Sequence, residues 1–140
     1  MPDRIRSAMM VAAVLFAAGC DSVTEPDTLE QFTWGEVAAG ETVEDGIDVS
    51  QGLGDIFILG ELNTPTRCYS LSGDLERSGA RLTLHVEART SQAPSCADAA
   101  GAYRYTAVLR NLEAGAYQLR VIHDISGGEA REFTASVDIS

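Results

Sequence analysis

The chain has 140 residues, with 21 acidic against 10 basic side chains and a net charge of −11, and every basic residue is arginine. So acidic a surface repels phosphate backbones and anionic headgroups, which argues against a nucleic-acid partner. Three cysteines without C-x-x-C spacing and only two histidines make a poor zinc site, so neither a metal nor another cofactor is expected.

At the N-terminus Arg4 and Arg6 precede an apolar run, Ala8 to Ala18, that ends in small residues. This is the three-part order of a secretory signal. The run has 11 residues, whereas a bilayer-spanning helix needs about 20. An ordinary signal peptide and a lipoprotein signal both fit that order. The segment Leu15-Phe16-Ala17-Ala18-Gly19-Cys20 resembles the lipobox of bacterial lipoproteins, with Ala17 where a branched residue is usual. The resemblance implies a helical signal over residues 1–19, cleavage between Gly19 and Cys20, and acylation of Cys20 on its sulfur and new amine. The membrane is then a partner through lipid on Cys20, and the rest of the chain lies on the extracytoplasmic side of a bacterial envelope. One acyl chain anchors only marginally; several hold.

Without residues 1–19 the chain keeps 20 acidic residues against 8 arginines, a net charge of −12. Lipidation of Cys20 would leave Cys68 and Cys96, and in an exported compartment such a pair is expected as a disulfide. From Asp21 to Glu30 the sequence is polar, carries Pro26 and has no period. Residues 20–30 therefore read as a lipidated cysteine and flexible tether, with a reach of about 18 Å, and residues 31–140 as the folded domain.

In the domain, apolar residues recur every second position and turn residues at short intervals, the pattern of an all-β sandwich or barrel. Strands are predicted near Glu41 to Val49, Ile56 to Leu62 and Tyr69 to Leu71, then over Arg81 to Ala88 and Tyr103 to Leu109, near Tyr117 to Ile122, and finally over Phe133 to Ile139. Leu82, Leu84, Val86 and Ala88 form one inward face; Tyr103, Tyr105, Ala107 and Leu109 form another. Ile56 to Leu62 is apolar on both sides, so it is expected to be central, or covered by the segment around Phe32 and Trp34. Trp34 is expected to pack under the first strand. Arginines 67, 104, 110 and 120 are expected to face acidic cross-strand partners.

Leu112-x-x-Gly115-x-Tyr117-x-Leu119-x-Val121 resembles the tyrosine corner of immunoglobulin-like sandwiches, in which the phenol bonds back to upstream backbone. The pattern is also similar to prealbumin-like sandwiches. Leu119 occupies the place of the second core cysteine, and no central tryptophan is present. The fold class is thus a seven-stranded antiparallel immunoglobulin-like β-sandwich following a signal helix.

No constellation carries a catalytic mechanism. His123 and Asp124 are neighbours on a strand and point to opposite faces, so they cannot act as base and orienter. No G-x-S-x-G accompanies Ser126, and His123 reads as a strand end entering a polar turn. His85 reads as a solvated outward residue. Glu41, Glu44, Asp45, Asp48 and Asp55 could offer oxygen ligands to calcium but do not match its loop motif. The expected protein is a non-enzymatic, membrane-anchored envelope lipoprotein that binds a protein or polymer. The alternatives are an extracytoplasmic protease inhibitor using the segment from Ser91 to Gly101, and a metal-dependent hydrolase.

Overall fold

A computed structural model describes residues 29–38, 41–91 and 99–140. The signal helix, Gly19, Cys20, the tether up to residue 28 and Cys96 lie outside the described residues.

Eight strands are present: β1 (Leu29–Glu36), β2 (Gly46–Gln51), β3 (Ile56–Thr64), β4 (Tyr69–Ser78), β5 (Arg81–Thr90), β6 (Gly101–Leu109), β7 (Gly115–Ile125) and β8 (Arg131–Ile139). They form two four-stranded sheets, sheet A in the order β1-β6-β3-β2 and sheet B in the order β4-β5-β7-β8. The additional strand is β1, whose Leu29 start lies ahead of position 31 and whose apolar residues, interrupted by Thr33 and Gly35, give a weak two-residue period. β2 begins at Gly46 instead of Glu41, because Val43 and Asp45 bond to Asn63 at the end of β3 and hold that approach outside the ladder.

Sheet A is antiparallel throughout, but sheet B is mixed: β5 and β7 run parallel, pairing Arg81 with Gln118 through Ala88 with Ile125. The cause is topological. After β5 the chain crosses into sheet A, runs back as β6, and re-enters sheet B at the end where β5 began. The β4–β5 hairpin closes through the two-residue turn Gly79-Ala80, and Gly79 has a φ of 60°. A glycine at the first central position suits such a turn.

The core follows the two-residue alternation. Leu82, Leu84, Val86 and Ala88 of β5 meet Ile56, Ile58 and Leu62 of β3, with Tyr103, Tyr105, Ala107 and Leu109 of β6. Burying a side chain of this size stabilises by roughly 1.5–3 kcal/mol. All four tyrosines are buried, and each hydroxyl has a partner. Tyr69 donates to the Ser126 carbonyl at 2.6 Å, and Tyr103 accepts from the Tyr69 amide at 2.9 Å. Tyr117 donates to the Glu113 carbonyl, four residues upstream, at 2.8 Å. Tyr105 meets His123.

Across the sandwich, β1 lies over β4 and β2 over β8. At the first edge the ring of Phe32 occupies the space that a side chain at Gly73 would fill. At the second, Asp45 accepts from the Asn63 amide at 2.7 Å and from Arg131 at 2.8 Å, joining the two sheets. β3 is central in its sheet, between β6 and β2. Its outer side is not covered by the Phe32 segment, because β1 joins the same sheet on the far side of β6. Trp34 does not pack under a strand; it stands 43% exposed at the sandwich edge, edge-on to Tyr103 at 5.9 Å.

Candidate functional site

Two places gather groups capable of polar chemistry, one between the sheets and one on an outer face. Inside, Tyr105 projects from β6 across β3 because residue 60 is glycine; a Cβ there would stand 2.0 Å from the Tyr105 Cζ. Its hydroxyl shares a 2.7 Å hydrogen bond with Nε2 of His123 on β7. Phe32 stacks on Tyr105 at 5.3 Å and Phe133 lies 5.0 Å from His123, so four rings cross the sandwich in a line.

His123 is fully buried, and its Nδ1 has no hydrogen-bond partner. A neutral imidazole beside a phenol holds two polar protons for one contact, so one proton stays unpaired at a cost of about 1–3 kcal/mol. Burial pushes the His123 pKa down to about 4; the Asp45 carboxylate opposes this and the Arg131 guanidinium adds to it. Burial likewise raises the Tyr105 pKa. The pair is therefore neutral at ordinary pH and out of reach of a substrate. This corrects the reading of His123 as a strand end: β7 continues to Ile125, and the alternation of Tyr117, Leu119 and Val121 passes through position 123. That alternation was legible in the sequence, but the polar character of histidine hid it.

Asp124, on the opposite face, is exposed, so the two neighbours are not brought together. His85 lies part-exposed on the outer face of sheet B, 3.6 Å from Glu76. The acidic residues singled out by sequence are dispersed: Asp45 is engaged by Asn63 and Arg131, Asp48 is exposed on β2, and Asp55 lies 4.0 Å from Arg110. Among the described residues no three His, Cys, Asp or Glu side chains are grouped to hold a metal. Cys68 directly precedes β4 with a φ of 71°, its carbonyl accepting from the Ser91 amide at 2.7 Å. Leu112 is buried and donates its amide to the Gly54 carbonyl at 3.1 Å, while Gly115 opens β7 with a φ of 153°.

The two outer faces differ. On sheet A, Phe57 and Leu59 of β3 are 37% and 43% exposed, flanked by the Glu61–Arg104 pair. On sheet B the outward residues are mostly polar, Ala116 and Ile122 excepted, and an open cleft of about 820 Å³ crosses all four strands. Thr83, Gln118, Arg120 and Thr134 lie along it, with Glu76, Ser78 and Arg81 at the hairpin end; Arg77 faces the other way, over the Tyr117 ring. Sequence reasoning did not find this cleft, because its residues come from four strands separated by as many as 58 positions, Glu76 to Thr134.

The fold and its surfaces define a two-sheet β-sandwich module. A family model described as the ORF11 beta-sandwich domain matches residues 61–137, more than half of the chain. The chain belongs to this family. The match begins within β3 and takes in β4 to β7 with most of β8, so the cleft lies wholly inside it. No curated protein and no solved structure matches the chain.

Proposed function

We propose that the chain is a lipid-anchored module of the bacterial cell envelope that binds its ligand without transforming it. One observation carries this reading: the His123–Tyr105 pair, the best-arranged polar pair in the domain, is enclosed between the sheets, while the polar groups that solvent reaches lie across the outer face of sheet B. A site that holds a ligand by surface hydrogen bonds and charge needs no such buried base. The anchor rests on the lipobox-like segment ending at Cys20 and on the polar stretch that follows it.

A bridge between Cys68 and Cys96 belongs to the same reading. Ser91 and Ala99, which flank residues 92–98, are held by backbone hydrogen bonds to Cys68 at 2.7 Å and Arg67 at 2.9 Å, so the segment carrying Cys96 leaves and returns beside Cys68. Closing that loop would stabilise the domain by roughly 3–4 kcal/mol on the chain-entropy account.

Intact mass of membrane-extracted protein tests the proposal. The expected species starts at Cys20, carries acyl chains, and takes up alkylating reagent at two thiols only after reduction. An unmodified mature chain starting elsewhere would refute the anchor, and two thiols alkylated without reduction would refute the bridge.

A further inference from the structure

Among the described residues Trp34, Leu53, Phe57 and Leu59 are the large apolar side chains left exposed, and the last three lie together. Leu53 is 88% exposed in the turn between β2 and β3, and the Phe57 ring lies against Gly52 beside it, 3.3 Å from where a Cβ would stand. Leu59, two positions along β3, continues the strip up the same outer face of sheet A. Exposed apolar residues standing singly need no account, but a contiguous run marks a contact surface. The turn itself is held in place. The Gly52 amide donates to the Asp55 carbonyl at 2.8 Å, the Leu112 amide donates to the Gly54 carbonyl at 3.1 Å, and Gly54 takes a φ of 77°. Leu53 is thus presented to solvent by a fixed frame.

We infer that this corner of sheet A seats on the bilayer with Leu53 leading, so that the domain stands on the membrane in one orientation. This rests on the lipid-anchored module proposed above and adds a protein contact to its lipid one. Leu29, Leu109, Ile56 and Gln51 are register partners in one row across sheet A, so β1 starts at the end of the sheet that carries Leu53. Eight residues separate Leu29 from Cys20, a typical reach of about 16 Å, whereas the nine residues of β3 extend over about 30 Å. A lipid on Cys20 therefore holds the Leu53 end nearer the bilayer than the loops at the far end. Charge limits the depth. Asp48 is exposed opposite Leu59, and a carboxylate without a partner stays in water. The seated strip therefore ends between Phe57 and Leu59, which stand about 7 Å apart along the strand. At the rim Arg110 lies 2.5 Å from Glu30 and 4.0 Å from Asp55, so no positive charge is left over for anionic headgroups and a zwitterionic surface fits. A second copy fits less well, because a stable interface takes about 800 Å² from each partner, more than three partly exposed side chains supply.

Tryptophan fluorescence of the membrane-extracted chain tests the orientation, after reconstitution into phosphatidylcholine vesicles that contain acyl-brominated phosphatidylcholine. Trp34 is the only native tryptophan, so Trp34→Phe clears the background for Leu53→Trp, Phe57→Trp or, in the exposed far-end loop, Glu129→Trp. Bromine quenches near contact, so a corner that only hangs close to the lipid stays bright. Quenching several-fold stronger at position 53 than at 129 is expected, with 57 between them. Adding Leu53→Asp to the Phe57→Trp chain should lower its quenching to the level at 129. Equal quenching at 53 and 129, or no effect of Leu53→Asp, would overturn the assignment. An emission shift at 53 that comes without quenching and grows with the protein-to-lipid ratio would give the strip to a second copy and overturn it too. Intact mass of the same preparation keeps the two readings apart. An acylated chain with equal quenching sinks only the orientation, whereas a chain without acyl groups sinks the anchor and the orientation with it.

Discussion

The ring line between the sheets and the cleft outside sheet B use similar groups to opposite ends. In the interior, His123 and Tyr105 are locked by Phe32, Phe133 and each other, so their polarity is a structural cost held in place by packing. On the outer face, Arg81 is exposed and has no carboxylate partner among the described residues, so its charge stays within reach of solvent. The difference teaches that chemically capable side chains mark a site only where solvent can meet them. A buried imidazole with a shifted pKa is, in this fold, a feature of the core.

Substitutions can break that contrast, and the largest effect is expected inside. Gly60→Val should destabilise the domain by about 3 kcal/mol, at the upper end of overpacking costs. The new Cβ would meet the Tyr105 ring at 2.0 Å, and that ring is confined by Phe32 and His123. Urea denaturation measures this; a loss below about 1 kcal/mol would mean the ring line is looser than described.

A similar effect should appear with pH. The native His123 pKa is near 4 against an ordinary value of 6.5, so between those values the unfolded chain binds a proton that the native state does not. Stability is therefore full above about pH 6.5 and falls by about 3 kcal/mol as pH drops toward 4. In His123→Leu that slope should flatten, read from denaturation midpoints over the same range. An unchanged slope would remove His123 from the account and leave carboxylates as its source. Glu132, whose pKa is held below the ordinary carboxylate value by Arg120, titrates at lower pH.

Next comes the corner at the start of β7. Tyr117→Phe removes one hydrogen bond to the Glu113 carbonyl and should cost about 1 kcal/mol. Arg77 lies over this ring, 6.0 Å from its centre, and keeps that contact in the substituted chain. Thermal unfolding measures the loss, and an unchanged midpoint would show that this hydrogen bond does not hold the corner.

Outside, Arg81→Gln should change stability by less than about 0.5 kcal/mol, as is usual at exposed positions without special partners. A loss comparable to that of Gly60→Val would show that Arg81 is part of the fold, and the contrast between the two regions would fail.

Much of the architecture was legible in the sequence because burial on one face imposes a two-residue period. Arg81 to Ala88, Tyr103 to Leu109 and Phe133 to Ile139 carry it plainly, and all are strands. β1 was harder to read, since an edge strand half open to solvent needs few apolar residues: Phe32 is only half-buried and Trp34 is exposed. His123 followed the period but broke the apolar rule, and a single chain read in line offers no view of the Tyr105 hydroxyl that receives it. The cleft left no trace, because its residues are separate in sequence and join only when four strands align.

What the sequence determined by itself was the all-β class, the inward faces and the acidic balance, each a property of local pattern or of a sum. Only the tertiary structure decided that β5 and β7 run parallel, that Gly60 makes room for Tyr105, and that Arg77 lies over the buried Tyr117 ring while Arg81 faces solvent. The physical reason is range: alternation is set by neighbours two positions apart, whereas sheet order, ring stacking and charge pairing depend on which distant segments the crossings bring together.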